Sequence, residues 1–279
     1  MPFAQEILLP VDFSASSLQL APAVAAVAKG LAAPITLLHV VPAVADSSIA
    51  DRLVREASQK LAAFGTAALA GLTVRHEVSS RPPASAIVGY SQKMPTPLIM
   101  IPTHGENTFR RLLLGSVTAA VLHDAECPVW TSAHCEDGGP LPVEYKSVVC
   151  GIDLGSSTPE VLRQASAFAV SFGAELHVVH SVPGIDPMFE SATANRAHTF
   201  LVNSARDAYP EIVRSAGVEL PPLEVVEQVG LAEGIAAAAG RHRADLLVIG
   251  RGVMQGVLGR LRTNAHELIR KSPCPVLSV

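Results

Sequence analysis

The stretch Leu98-Ile99-Met100-Ile101-Pro102-Thr103-His104-Gly105 joins an apolar run to a turn, and Gly115-Ser116 opens a helix-like segment further along. The short apolar run predicts a buried β-strand. The first N–H groups of a helix have no partner within it and can bind an anion, and Gly115 has no Cβ to keep a ligand away. The stretch therefore predicts either an anion site or a simple turn, and both interpretations stay open at this point.

The composition indicates a folded α/β protein. The 279 residues are 49% hydrophobic but only 4% aromatic, which allows one large domain or two smaller ones. The apolar residues are mainly Ala, Val, Leu and Ile, as in helices that cover a parallel sheet. The net charge of −4 comes from 21 basic and 25 acidic residues without long blocks of one sign. We therefore expect neither a nucleic-acid surface nor a polybasic membrane contact.

The N-terminal segment, the length of the apolar runs and the cysteines predict a cellular location. Met1 to Glu6 lacks the basic start and apolar run of a signal peptide, and no stretch approaches about 20 uninterrupted apolar residues. The four cysteines are too scattered for a disulfide framework. We therefore expect a cytoplasmic protein with no membrane partner.

The first half of the chain alternates strand-like and helix-like segments. The helices are expected after Ser14, from about Ser47 to Gly71, from Pro83 to about Lys93, and from Ser116 to about Ala125. This pattern predicts five strands and four helices in about 130 residues. The predicted strands are Glu6 to Asp12, Ile35 to Val41, Leu72 to Ser79, Leu98 to Ile101, and Pro128 to Thr131.

The second half repeats the first. Asp153 follows Asp12 by 141 residues, and Cys274-Pro275-Val276 follows Cys127-Pro128-Val129 by 147. Ordered matches at a nearly constant offset indicate a duplicated domain, since solenoid repeats are far shorter. The segment between them is rich in Gly and Pro and reads as a linker. We predict domains at 1–132 and 146–279, joined by a linker at 133–145.

Strands that alternate with helices predict a parallel sheet with helices on both faces and right-handed crossovers. Ligands of such sheets bind at the carboxyl ends of the strands. Asp12, Val40 and the segment 102–105 each follow a predicted strand, so they are expected to converge with Gly115-Ser116. A single strand-end Asp can also serve only to cap the next helix.

These residues carry a family resemblance. The runs 10–14, 38–40 and 103–105, the nine residues before Gly115-Ser116, and Cys127-Pro128-Val129 resemble the universal stress protein family in its nucleotide-binding form. Because the resemblance covers both halves, it implies a tandem protein. It also implies, for each half, a five-stranded parallel open sheet with helices on both faces, of the Rossmann-like, adenine nucleotide alpha hydrolase-like type.

The resemblance further implies a ligand, which is ATP with or without Mg²⁺. By position, Pro10, Asp12 and Val40 would border the adenine. Pro102 and Gly105 stand where the family has the glycines nearest the ribose and phosphates. The terminal phosphates would bind at Gly115, Ser116 and Val117.

Both halves depart from the family pattern. Pro102 replaces the first glycine of the loop, and its ring and missing N–H predict a tilted or weakened ribose contact. In the second half, Arg262-Thr263-Asn264 stands in place of Gly115-Ser116-Val117, so an arginine side chain occupies phosphate space. Asn264 with Glu267 reads as a capping box that satisfies the helix without a ligand. We therefore expect the second domain to have lost the ATP mode, while Asp153 and Val178 keep a base or nucleoside pocket open as an alternative.

The sequence predicts a stress-response protein that binds an adenine nucleotide in its first domain and responds by changing its conformation or association. A nucleotide-independent interaction protein of the same fold and a slow ATP hydrolase are the alternatives. No residue is assigned a catalytic role or a metal, because the loop lacks the metal ligands and positioned base that phosphoryl transfer needs. The apolar strands that end each half predict an intramolecular pseudo-dimer, which could dimerise again.

Overall fold

The computed structural model describes residues 3–103, 114–132, 141–184, 192–219, 221–228, 230–251 and 263–279. The chain divides into two compact units, Pro2–Val143 and Glu144–Val279. Each unit contains five parallel strands and buried hydrophobic residues of its own.

Five parallel strands form the sheet of the N-terminal unit, in the order β3-β2-β1-β4-β5. Strand β1 lies between β2 and β4, so the strand order reverses beside it, and this is the point at which ligands bind in doubly wound sheets. The strands are β1 Glu6–Pro10, β2 Ile35–Val40, β3 Val74–Ser79, β4 Pro97–Pro102 and β5 Val129–Ser132. The helices are α1 Ala15–Leu31, α2 Ser47–Ala63, α3 Pro83–Ser91 and α4 Ser116–Asp124.

The C-terminal unit has the same topology. Its strands lie in the order β8-β7-β6-β9-β10, which matches β3-β2-β1-β4-β5 strand for strand. The strands are β6 Ser147–Ile152, β7 Glu175–Pro183, β8 Leu223–Gln228, β9 Leu246–Ile249 and β10 Val276–Ser278. The helices are α5 Thr158–Phe172, α6 Ala192–Ala216, α7 Leu231–Arg241 and α8 Thr263–Lys271. The predicted fold, two α/β domains with parallel sheets, is confirmed.

The register of the two central strand pairs is also the same. In the N-terminal unit Ile7 pairs with Ile35, and in the C-terminal unit Val148 pairs with Leu176, so partners are 28 residues apart in both. Because one offset holds in both units, a residue of one site can be matched to its counterpart in the other without relying on sequence similarity.

The prediction that α2 continues to Gly71 was wrong. The helix ends at Ala63 because Phe64 adopts an extended backbone, with ψ of 126°, and Gly65 has a φ of +61°. That conformation lies in the left-handed region, which is open to glycine and strained for other residues. Turns fill the segment between α2 and β3, with the Leu69 N–H donating to the Gly65 carbonyl at 2.9 Å.

Aromatic packing anchors α5 to the start of the C-terminal unit. The ring of Tyr145, the last residue of the predicted linker, lies 5.1 Å from the ring of Phe168 and 5.0 Å from that of Phe172. Phe168 has no solvent exposure, and Tyr145 is 3% exposed. The core of this unit therefore includes a residue that the periodicity of the sequence did not assign to it.

We predict that Phe168→Ala destabilises the C-terminal unit by about 3–5 kcal/mol, because it removes a fully buried ring and leaves a cavity. Val170→Ala on the same helix is the control, since Val170 is 78% exposed and its truncation should change stability by less than about 0.5 kcal/mol. Urea unfolding followed by circular dichroism measures both. Equal effects of the two substitutions would contradict the packing described for α5.

Candidate functional site

The carboxyl ends of β1 and β2, together with α3 and the start of α4, enclose a cavity of about 330 Å³ in the N-terminal unit. Its size falls in the range of small-molecule pockets, about 300–1,000 Å³. Apolar side chains such as Ile87 and Ile101 form much of its wall. Six of the residues predicted from the sequence line it: Pro10, Asp12, Val40, Gly115, Ser116 and Val117.

The Asp12 carboxylate is held by the turn that follows β1. Its Oδ1 accepts hydrogen bonds from the Ser14 hydroxyl at 2.5 Å, the Ser17 hydroxyl at 2.6 Å and the Ser14 N–H at 3.0 Å. Burial opposes ionisation, but these hydrogen bonds outweigh it and keep the pKa of Asp12 below its ordinary value. Because all three bonds reach Oδ1, the second oxygen, Oδ2, keeps the capacity to accept a hydrogen bond from a ligand amine or hydroxyl.

The turn after Asp12 contains a strained residue. Phe13 has a φ of +63°, in the left-handed region that costs an ordinary residue about 1–2 kcal/mol. Its ring packs against His39 with centroids 4.4 Å apart. The Nδ1–H of His39 donates to the Val11 carbonyl at 2.6 Å, which ties β2 to the residue before Asp12. The hydrogen bonds and the ring contact together hold the strained turn in place.

The start of α4 presents backbone N–H groups to the cavity. Gly115 is the N-cap residue, and no side chain of the described residues caps this helix end. The N–H of Gly115 itself donates to the Thr103 carbonyl at 2.8 Å. The groups left for an anion are therefore the N–H groups of Ser116, Val117 and Thr118, reinforced by the helix dipole.

Two predicted site residues are not among those that line the described part of the cavity, for different reasons. Pro102 ends β4, pairs with Ser132 and lies outside the described lining of the cavity. Its carbonyl accepts a hydrogen bond from the Thr118 hydroxyl at 2.9 Å. Gly105 lies outside the described residues, as do the other residues of the loop at 104–113.

His39 and Thr118 line the cavity, although the sequence did not identify them as site residues. A signal for His39 exists in the duplication, because His180 makes the same bond from its Nδ1–H to the Ile152 carbonyl, at 2.8 Å. Both histidines follow their carbonyl partner by 28 residues. Thr118 has no such signal, since its counterpart 147 residues later, by the offset of the two cysteines, is Ala265.

The C-terminal unit has a smaller cavity at the equivalent place. It measures about 200 Å³ and includes Asp153 and His180 in its lining. Asp153 Oδ1 accepts from the Gly155 N–H at 2.9 Å and the Thr158 hydroxyl at 3.1 Å, and Leu154 has a φ of +58°. The carboxylate turn is therefore present in both units, with the bonds at the same spacing in the chain.

The prediction that Val178 contributes to this cavity was wrong. Val178 pairs with Cys150 in the middle of the sheet and is 1% exposed. Asp12 and Val40 are 28 residues apart, and the same offset from Asp153 leads to Ser181, which lines the cavity. The error arose from matching the apolar runs of β2 and β7 by appearance, because a valine-rich strand gives no register of its own.

The residues at the position predicted for phosphates differ between the two units. Gly250 and Ala265 line the C-terminal cavity where the N-terminal unit has Pro102 and Thr118. Arg251, at the place of Thr103, is 3% exposed, and its N–H donates to the Val279 carbonyl at 2.9 Å. The predicted capping box depends on the side chain of Asn264, which lies outside the described part of the chain.

No three His, Cys, Asp and Glu side chains of the described residues are grouped so that they could hold a metal ion. No helix within the described ranges has both the length and the apolar character required to cross a bilayer.

Both halves of the chain are similar to known proteins. The universal stress protein family matches residues 4–132 and 144–279. A universal stress protein of Methanocaldococcus jannaschii is 30% identical over 136 residues, which are 45% of this chain and 79% of that protein. One from Mycobacterium tuberculosis is 26% identical over 230 residues, 78% of this chain and 72% of the relative.

A solved universal stress protein from Archaeoglobus fulgidus has the same fold. It superposes with a TM-score of 0.68 at 21% identity, covering 99% of this chain and 97% of that one. The fold and the site define a class of protein with two α/β domains, each with an aspartate held by a turn and a cavity at the carboxyl ends of its strands. The chain belongs to the universal stress protein family, with two domains of that family in tandem.

We predict that Ser17→Ala raises the pKa of Asp12, because the substitution removes a hydrogen bond to the ionised carboxylate. A carboxyl carbon NMR titration measures the shift, and Ser16→Ala is the control, since Ser16 is not among the described hydrogen-bond donors to Asp12.

A lowered pKa also fixes the sign of the pH dependence. The stability that ionised Asp12 contributes is present above the pKa of an unfolded Asp, about 3.9, and is lost as the pH falls through the folded value. Ser17→Ala should therefore lose this contribution at a higher pH than the wild type. Identical titrations of wild type and Ser17→Ala would contradict the role assigned to this bond.

Proposed function

We propose that the N-terminal domain binds an adenine nucleotide, with ATP as the ligand, and that the protein acts in the stress response as a ligand-responsive regulatory or interaction protein. The observation that carries the proposal is that one cavity is lined both by an ionised carboxylate and by a helix start that no side chain of the described residues caps. Membership of the universal stress protein family and the resemblance of 10–14, 38–40 and 115–116 to its nucleotide-binding form support it.

The base and the phosphates would use different parts of the cavity. Asp12 accepts a hydrogen bond from the exocyclic amine of adenine, while Pro10 and Val40 provide apolar surface for the ring. The phosphates bind at the N–H groups of Ser116 and Val117 and at the Ser116 hydroxyl, where the helix dipole favours negative charge. Mg²⁺ would bind to the phosphate oxygens of the nucleotide and enter the site with it.

Binding is the proposed activity, and turnover is not. Among the described residues that line the cavity, Asp12 is the acidic one, and its Oδ1 is engaged by the turn after β1. The Nδ1–H of His39 is likewise engaged by the Val11 carbonyl. Both groups lie at the ends of β1 and β2, the part of the cavity that this proposal gives to the adenine, so neither is placed to activate water at a terminal phosphate, which is what efficient hydrolysis needs.

The C-terminal domain is proposed to bind no ATP. It keeps the carboxylate turn at Asp153 but has a smaller cavity, and Ala265 replaces Thr118. The pseudo-dimer of the two domains and its further dimerisation stay predictions from the apolar end strands, and hydrodynamic mass measures the second of these steps.

We predict that calorimetry with ATP and Mg²⁺ gives one site per chain, and that Asp12→Ala weakens binding about 10-fold to 100-fold by removing a charged hydrogen-bond acceptor. Asp153→Ala is the matched control. It removes the same kind of turn in the other domain, with bonds at the same spacing, and should leave ATP affinity within about twofold.

Gly115→Arg tests the phosphate end separately, because it introduces at α4 the residue type that the second domain carries at position 262. The φ of −58° at Gly115 suits any residue, so the variant should fold and lose ATP binding. Absence of binding by the wild type at millimolar ATP and Mg²⁺ would overturn the proposal. Equal loss of affinity in Asp12→Ala and Asp153→Ala would also contradict it.

A further inference from the structure

Two hydrogen bonds join the start of α4 to the end of β4. The Gly115 N–H donates to the Thr103 carbonyl at 2.8 Å, and the Thr118 hydroxyl donates to the Pro102 carbonyl at 2.9 Å. Thr118 is 4% exposed, so its bond is shielded from water. One bond comes from the N-cap residue and the other from the third residue of the helix, so together they fix the rotation of the first helical turn as well as its position.

These two bonds position the backbone N–H groups at the start of α4 that are still available to an anion. The Gly115 N–H is already engaged, so an anion must use the N–H groups of Ser116, Val117 and Thr118. A helix end that is fixed before the ligand arrives loses little entropy on binding, which raises affinity for a group that must meet several donors at once. Thr118 contributes to that fixation through its side chain, while its backbone belongs to the donor set.

The second domain shows the same strand and helix without this bond. Ala265 stands at the position of Thr118 and has no hydroxyl to donate, although it lines the corresponding cavity. Asp153 and its turn are retained there. The two domains therefore share the part of the site that suits a base and differ in the part that holds a helix start in place for phosphate.

We propose that Thr118 is a positioning residue that makes the N-terminal cavity selective for phosphorylated over unphosphorylated adenine ligands. The inference rests on the proposed function, because it concerns the same cavity. Adenosine gains nothing from the N–H groups of α4, since it carries no phosphate. Loss of the Thr118 hydrogen bond should therefore weaken ATP binding and leave adenosine binding nearly unchanged.

The test compares Thr118→Val with Thr118→Ser by calorimetry with ATP and with adenosine, Mg²⁺ present throughout. Valine keeps the shape of the side chain and removes the donor, whereas serine keeps the donor. We expect Thr118→Val to weaken ATP about fivefold to tenfold, the equivalent of one hydrogen bond, and adenosine less than about twofold. Thr118→Ser should restore the wild-type ratio of the two affinities.

Thr118→Ala is the second variant if valine prevents folding, because the C-terminal domain folds with alanine at that position. A purely structural role would lower the melting temperature and weaken both ligands alike, and that result would overturn the inference. An unchanged ratio in Thr118→Val, with ATP still bound by the wild type, would overturn the inference alone. Absence of ATP binding by the wild type would overturn the proposed function and the inference with it.

Discussion

In each domain, one carboxylate oxygen at the end of the first strand accepts several hydrogen bonds, and these bonds position an aspartate in the wall of the cavity. Asp12 Oδ1 and Asp153 Oδ1 each accept a backbone N–H from two residues ahead and a hydroxyl from five residues ahead. These bonds hold Phe13 and Leu154 in the left-handed region, where an ordinary residue is strained. The strained turn redirects the chain from the strand into the next helix and leaves a carboxylate at the switch point of the sheet, where this fold binds its ligands.

The two domains share the turn at the end of the first strand and differ at the start of the last helix. The carboxylate turn and the histidine bond to the preceding carbonyl are present in both. The brace from the Thr118 hydroxyl to the Pro102 carbonyl exists in the N-terminal domain, and alanine stands at the corresponding position of the C-terminal domain. The two domains can therefore be compared directly, because they have the same fold but differ in the sequence at the start of α4 and α8.

Much of this could be predicted from the sequence. The alternation of apolar strands and helices specified two parallel α/β domains, and six of the predicted site residues line one cavity. The errors have physical causes. Periodicity cannot show that Phe64 leaves the helical region, so α2 was extended too far. Val178 was mistaken for the counterpart of Val40 because register depends on backbone pairing and not on the apolar character of β7. Thr118 was missed because its role is a contact with a carbonyl 16 residues away.

The most direct measurement is the amide NMR spectrum of the labelled protein during a titration with ATP and Mg²⁺, with adenosine as the comparison ligand. The N–H signals of Ser116, Val117 and Thr118 should shift with ATP and much less with adenosine, while those of Ala265 and His266 in α8 stay in place. Shifts confined to α8, or a spectrum in which the α4 amides respond equally to both ligands, would contradict a phosphate site at the start of α4.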